Sequence, residues 1–522
     1  MLKFNRDVVS GSVQIAESAY GVPIIADVKQ PQELTTNVDN RSATSRWFLA
    51  INGSAALLLT GVIVLYLGLI GLGQWQADEY DNFARLRMRG WRFLFDRLHW
   101  SPRPISELIL MMYGWTVNQV HQPLIAPFLG LLWIVFIGAA LLGFFQARGK
   151  RSREENWLAF VAAVSLMASF LVSGGLTEVF YWPVGAGAYL LTLSSSILFF
   201  WQAAEGRLAT GGGRVLSSIA LSIAACSSEM GAMLGASYAF IKVAGWTIER
   251  LTRRVAKPAG TTILWWLLPG LISLVVLSAL GLNRFQQSEP GFTVASSTLG
   301  HPLLSVGAAV RGLLSEVSGV VPGLRPFSST SRLLSEMMML LGIGLCRPLN
   351  TSSKGSAREI SNFVSALLLA CLLSLTTTYL HFGTAGGQRH QLLRHCWILM
   401  AASGTGMLLF SSRVAARVRV WPKRSIAGAI VLCLAVLVPW HTGELLREYR
   451  AYPSIKRAIR ENFESGFQPG HDRIIYVLPP NKGVLAFAQI EPGTYTPGSG
   501  ALYPAYILRF FGKSTLVVRV AE

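Results

Sequence analysis

A series of apolar runs constrains this chain more than any other feature. They lie at about 47–73, 123–145, 157–174, 184–201, 262–282, 332–347, 360–380, 391–411 and 424–443. Most approach the roughly 20 residues that a helix needs to cross the hydrocarbon core of a bilayer. The stretch 214–245 is also apolar, but Ser227, Ser228 and Glu229 interrupt it, so it reads as two short helices meeting near the far membrane face. Together these give about eleven spans. Backbone in hydrocarbon must satisfy its own hydrogen bonds. The predicted fold is therefore an α-helical polytopic membrane protein. Composition agrees, since 52% of the 522 residues are hydrophobic and 14% are charged. That balance excludes a soluble globular domain and a disordered chain.

Charge sets the expected orientation. The formal net charge is +19. In a soluble protein such an excess would suggest nucleic acid. Here cytoplasmic loops and anionic headgroups account for it, and no nucleic-acid partner is expected. Basic clusters follow the second span (Arg148, Lys150, Arg151, Arg153), the sixth (Arg250, Arg253, Arg254, Lys257) and the tenth (Arg413, Arg417, Arg419, Lys423, Arg424). All three fall on one side if the N-terminus is cytoplasmic. The expected organisation is a cytoplasmic tail at 1–46, a transmembrane domain at 47–443 and an extracytoplasmic C-terminal region at 444–522. Residues 1–46 lack the pattern of a cleaved signal, so the first span is expected to stay as an anchor in the plasma (inner) membrane. Cys226, Cys346, Cys371, Cys396 and Cys433 sit in apolar runs without metal-site spacing and read as small buried hydrophobes.

The segment 74–122, between the first two spans, is the richest. Asp78, Glu79 and Asp81 stand just past the end of a spanning helix. Acids there could bind a divalent cation (Mg or Mn), act as a general base, or merely solvate a helix end. Ala84, Met88, Trp91, Phe95 and Leu98 then recur at spacings of four and three, which predicts a helix lying in the membrane interface. The basic residues of this loop, Arg85, Arg87, Arg89, Arg92, Arg97 and Arg103, are all Arg. Guanidinium forks grip phosphate bidentately, although anionic lipid headgroups would suit them equally.

Carboxylates inside apolar stretches are costly, which singles out Glu178 and Glu229. Tyr181 and Trp182, beside Glu178, could stack on a sugar ring or belong to an aromatic belt. The loop 381–391 offers Gly383, Gly386 and Gly387 for close backbone approach, with Arg389 and His390 for charge and hydrogen bonding. In the tail, 473–478, 484–490 and 515–520 read as short strands and Tyr503–Phe511 as a helix, a small α/β cap.

These features, in this order, resemble the GT-C superfamily of integral-membrane glycosyltransferases, in particular a bacterial glucosyltransferase-like or uncharacterised branch. The resemblance covers about 47–411. It rests on Asp78-Glu79-Tyr80, on the segment 101–107 with Arg103, and on Glu178 followed by Tyr181, Trp182, Gly185, Ala186 and Tyr189. Ser228-Glu229 and Gly387 with Arg389 complete it. The family often has Asp-Asp where this chain has Asp78-Glu79.

The resemblance implies a GT-C-like bundle and an inverting transfer of sugar from a polyprenyl-phosphate-linked donor, within the membrane lipids, to an envelope glycan, lipid or protein. It makes Asp78 or Glu79 the base or a metal ligand. Arg389, Arg103, Arg92 and His390 would bind the donor phosphate. Asp81, Glu178, Tyr181, Trp182 and Glu229 would contact substrate. Two other readings stay open, an O-antigen-type polymerase or ligase and a transporter or flippase of lipid-linked saccharides. Charge gathered at the outer face and the lack of an internal repeat weigh against transport.

Overall fold

The first described helix, α1 (Ala56–Leu72), ends in a tight 3₁₀ turn, and the chain bends by 54° into the helices that follow. The structure is a computed structural model. It describes residues 56–147, 153–172, 175–253, 260–286, 300–318, 354–411, 423–478 and 490–520, with a few isolated positions besides. The N-terminal tail, the run at 332–347 and most of the 484–490 patch lie outside the described residues. So do most of the basic loop residues that set the expected orientation.

Helix α2 (Ala77–Arg89) starts with a capping box, in which Gln76 and Glu79 satisfy each other's backbone N–H groups. It stops at Gly90, whose φ of +59° a side chain would rarely tolerate. A short turn leads into α3 (Phe93–Trp100). The single interfacial helix expected across 84–98 is thus two helices broken at this glycine. Its stripe also divides, because Ala84 is buried while Met88, Trp91 and Phe95 are exposed. Helix α4 (Pro104–Val120) follows, with proline in its first turn, where no N–H is needed.

Helices α5 (Ile125–Ala147) and α6 (Arg153–Val172) lead to a stretch of irregular helix. A π-helical turn at Thr177–Tyr181 precedes α7 (Pro183–Ala204), and another lies inside α7 at Ala186–Leu190. Gly185 sits between the two because a Cβ there would collide with the Glu178 carbonyl. Helices α8 (Gly211–Ser227) and α9 (Glu229–Arg253) are separated by Ser228 in extended conformation, where the sequence expects a break. Then come α10 (Gly260–Gln286), α11 (Pro302–Ser318), α12 (Lys354–Phe382), α13 (Gln388–Ser411) and the long α14 (Lys423–Phe467).

Five helices among the described residues are long and apolar enough to cross a membrane, or six if the bent pair at α1 counts as one span. The chain is an α-helical protein with several membrane-spanning candidates. The expected count of about eleven is larger for visible reasons. The apolar part of α6 covers only Phe160–Leu171, neither α8 nor α9 is among the helices long and apolar enough, and the run at 332–347 lies outside the described residues. The spanning windows of α5 and α10 are only 33% and 28% buried, whereas that of α7 is 89% buried. Helix α7 is therefore central, and α5 and α10 present Leu131, Ile134, Leu268, Leu271 and Val275 outward, as lipid contact requires.

The end of α14 carries a three-stranded sheet of order β1-β3-β2, made of β1 (Arg473–Leu478), β2 (Gly493–Tyr495) and β3 (Thr515–Val520). β1 and β3 are parallel, and β2 is antiparallel to β3. Helix α15 (Leu502–Phe511) connects β2 to β3 and packs on α2. Three bonds fasten it there. Arg87 Nη1 donates to the Phe510 carbonyl at 2.9 Å, Arg509 pairs with Asp81 at 2.6 Å, and the Tyr503 hydroxyl reaches the Trp75 carbonyl at 3.1 Å. Buried Trp75 is the hub, with the rings of Tyr80, Phe83, Tyr113, Phe463 and Phe510 around it edge-on. Trp75→Ala is expected to cost about 3–5 kcal/mol, a typical cost of emptying an aromatic core site. Protease cleavage of the C-terminal region at temperatures where wild type resists would register it.

Candidate functional site

The first turn of α2 holds two acids in very different states. Glu79 is fully buried and accepts three N–H bonds, from the Gln76 backbone (2.8 Å), Trp182 Nε1 (2.9 Å) and the Val184 backbone (3.2 Å). It fastens α2 to the start of α7. Burial pushes its carboxyl up to about 8 despite these donors. Asp78 instead reaches solvent and forms no hydrogen bond or ion pair among the described residues. Its pKa is also raised by loss of surrounding water, against the opposing charges of Arg97, Arg389 and Arg103.

Beside Asp78 runs a ladder of alternating charge. Buried Glu107, on α4, receives both arms of Arg97 at 2.9 and 3.0 Å and one of Arg103 at 3.3 Å. Arg103 also reaches Glu229, the first residue of α9, at 3.3 Å. Burial alone would lower the Arg103 pKa, but Glu229 and Glu107 outweigh it and hold the guanidinium charged. Glu229 further accepts from the Tyr189 hydroxyl at 2.6 Å and lies 2.9 Å from His390 Nε2. The break at Ser228 makes this meeting possible, because it brings Glu229 to the start of a helix. The Ser228 hydroxyl caps that start, accepting from the Gly231 backbone at 3.0 Å.

The first turn of α13 closes the site. The Arg389 backbone donates to Glu178 at 3.3 Å, and its guanidinium lies 3.9 Å from the same carboxylate. That guanidinium also stands over the rings of Trp182 (5.6 Å) and Tyr189 (5.7 Å). Two polar atoms here are buried without a hydrogen-bond partner, Arg389 Nε and His390 Nδ1. Most charged groups of the site are therefore committed to one another. Asp78, Arg389 and His390 Nδ1 keep unused capacity, and a ligand would meet them first.

Glu79, Arg103, Glu178, Trp182, Glu229, Arg389 and His390 thus lie in one connected cluster, and Asp78 stands in the field of its arginines. Three other candidates do not join it. Asp81 is taken by Arg85 (2.9 Å) and by Arg509 of α15. Tyr181 is fully buried, and its hydroxyl donates to the Tyr66 carbonyl at 2.8 Å, so it holds α1 in place. Arg92 is exposed in the turn after α2, with no hydrogen bond or ion pair to the cluster among the described residues.

Arg97, Glu107 and Tyr189 belong to the cluster without having been assigned a role. The signal for Glu107 is its spacing of four from Arg103 on a helix whose other buried residues are nearly all apolar.

The divalent cation considered for Asp78 and Glu79 does not fit these donors. Glu79 spends both oxygens on N–H groups, and Asp78 stands in the field of three guanidinium groups. No protein-family model and no curated protein matches the chain.

Proposed function

We propose that this chain is a membrane glycosyltransferase of the GT-C kind, moving a sugar from a polyprenyl-phosphate-linked donor to an acceptor hydroxyl on an envelope glycan, lipid or protein. The observation that carries the reading is the pairing of an uncommitted carboxylate, Asp78, with an under-committed guanidinium, Arg389, in one cluster. Transfer from a phosphate-linked sugar needs both chemistries. A base takes the acceptor proton, and a fixed cation stabilises the phosphate as it departs.

In this reading Asp78 is the base. Arg389, with Arg103 behind it, receives the phosphate, and Arg92 has no part. Trp182 and Glu178 orient the sugar. Glu79 and Glu229 act through the residues they hold. Direct displacement inverts the anomeric carbon. The bundle has about eleven spans, with the N-terminus cytoplasmic and the site on the extracytoplasmic side. The exposed Met88, Trp91, Phe95 and Trp100 suit helices α2 and α3 to headgroup depth, where a lipid-borne phosphate enters sideways.

The test is direct. The full chain is placed in lipid nanodiscs with polyprenyl-phosphate-linked glucose and then other hexoses, and with envelope glycolipid extract as acceptor. Release of polyprenyl monophosphate together with a glycosylated acceptor is expected. Movement of intact lipid-linked sugar across vesicles, without release of the monophosphate, would point to the flippase reading instead.

A further inference from the structure

His390 is a buried imidazole with one nitrogen assigned and one left over. Its residue is 8% exposed. Nε2 lies 2.9 Å from Glu229 Oε1, and that same oxygen accepts from the Tyr189 hydroxyl. A carboxylate oxygen only accepts, so Nε2 carries a proton. In the neutral ring Nδ1 is then the bare nitrogen. It is buried and has no hydrogen-bond partner.

The glycine turn lies against Nδ1. A Cβ on Gly386 would lie 3.2 Å from Nδ1 and 3.0 Å from the Thr378 methyl. One on Gly387 would lie 3.9 Å from Glu178 Oε2. Gly386 has φ +87°, a conformation that side chains rarely adopt. Glycine at 386 thus lets the turn that leads to Arg389 pack closely against Nδ1.

We infer that Glu229 and His390 form a carboxylate–imidazole dyad whose Nδ1, when protonated, is the general acid for the departing phosphate. This rests on the glycosyltransferase reading above and deepens it. As the acceptor oxygen bonds to the anomeric carbon, the bond from that carbon to the phosphate oxygen breaks. Its electron pair stays on the phosphate. Asp78 takes the acceptor's hydroxyl proton, and His390 passes its Nδ1 proton to the phosphate oxygen. The lipid phosphate leaves as a monoanion, and the proton on Asp78 returns to His390 through solvent.

A phosphate monoester has its second pKa near 6, so this proton removes about one unit of charge from the leaving group at neutral pH. A donor leaving as a monophosphate is the class that gains from it. The groups around His390 are Glu229 of α9 and Tyr189 of α7, whose ring lies edge-on at 5.8 Å. Arg103 bears on it through Glu229, Glu178 lies across the glycines, and Thr378 of α12 stands beside the same turn.

The full chain in nanodiscs, labelled with ¹⁵N-histidine, tests this apart from turnover. His390 is assigned by its loss in His390→Gln. The neutral ring is expected to be the Nε2–H tautomer, and its Nδ1 resonance should move when polyprenyl monophosphate is added. An Nδ1–H tautomer overturns the proposal. So does an Nδ1 resonance that stays still while the lipid phosphate binds.

Kinetics supply the second arm. His390→Gln keeps a donor for Glu229 and should lower kcat about 10²–10⁴-fold, with KM for the donor little changed. A His390→Gln rate within about threefold of wild type would reject the acid role and leave the glycosyltransferase reading standing. A wild type that neither binds polyprenyl monophosphate nor transfers sugar would sink both.

Discussion

Asp78→Asn is expected to stop turnover while leaving the protein folded. The carboxylate has no protein partner among the described residues, so the amide breaks no contact that holds the structure. Losing a positioned base lowers kcat by about 10²–10⁴. KM for the lipid-linked donor should change little, since the phosphate is met by Arg389. The comparison is Asp81→Asn, three residues along the same helix. Asp81 is bound to Arg85 and Arg509, away from the cluster, and its variant should keep a rate within about threefold of wild type. Full activity of Asp78→Asn would remove the base from the mechanism. Equal losses in both variants would show that α2 acts only as a scaffold.

Glu79→Ala is expected to produce a large loss of stability. It strands three N–H groups that converge on one buried carboxyl, two from the backbone and one from Trp182. An unsatisfied buried donor costs about 1–3 kcal/mol, so the total should reach about 3 kcal/mol or more. Thermal unfolding in detergent would read it as a lower Tm. A Tm equal to that of wild type would mean that α2 is held to α7 by other contacts.

Activity should fall too, because Asp78 is the neighbouring residue and Trp182 lies under Arg389. The pH dependence has a defined sign. Folding raises this carboxyl from the ordinary 4.5 to about 8, so the native state holds the extra proton between those values. Its stabilisation is complete below about 4.5 and is lost as the pH climbs towards 8. Glu79→Gln cannot titrate, and its Tm should vary less with pH across that window than the wild-type Tm does.

Much of the architecture is legible in the chain. Apolar runs of spanning length mark α5, α7, α10, α12 and α13, since period and length are local properties. The polar interruption at Ser227–Glu229 marks the break between α8 and α9. The strand at 473–478 shows in its run of Ile, Tyr and Val, with Ile474, Tyr476 and Leu478 buried in the structure. Three glycines in one short loop, beside Arg389 and His390, mark the turn that closes the site.

Other features escape such reading. The pattern of Ala84, Met88, Trp91, Phe95 and Leu98 suits one continuous helix, and only the conformation of Gly90 divides it. Glu107 shows only its i,i+4 pairing with Arg103 until Arg97 is brought onto it from α3.

Asp78, Glu79 and Asp81 mark the difference most clearly. The sequence by itself determined that carboxylates would crowd the start of α2, and that a glycine-rich turn with Arg389 and His390 would exist elsewhere. It could not say which acid would be available. Successive residues on a helix point about 100° apart, so near neighbours in the chain face different surroundings. Packing of α7 turned Glu79 into a buried anchor for Trp182. Docking of α15 engaged Asp81 with Arg509. Asp78 faces neither, and the arginines of three separate segments surround it. Its freedom is a property of those long-range contacts, which no local pattern encodes.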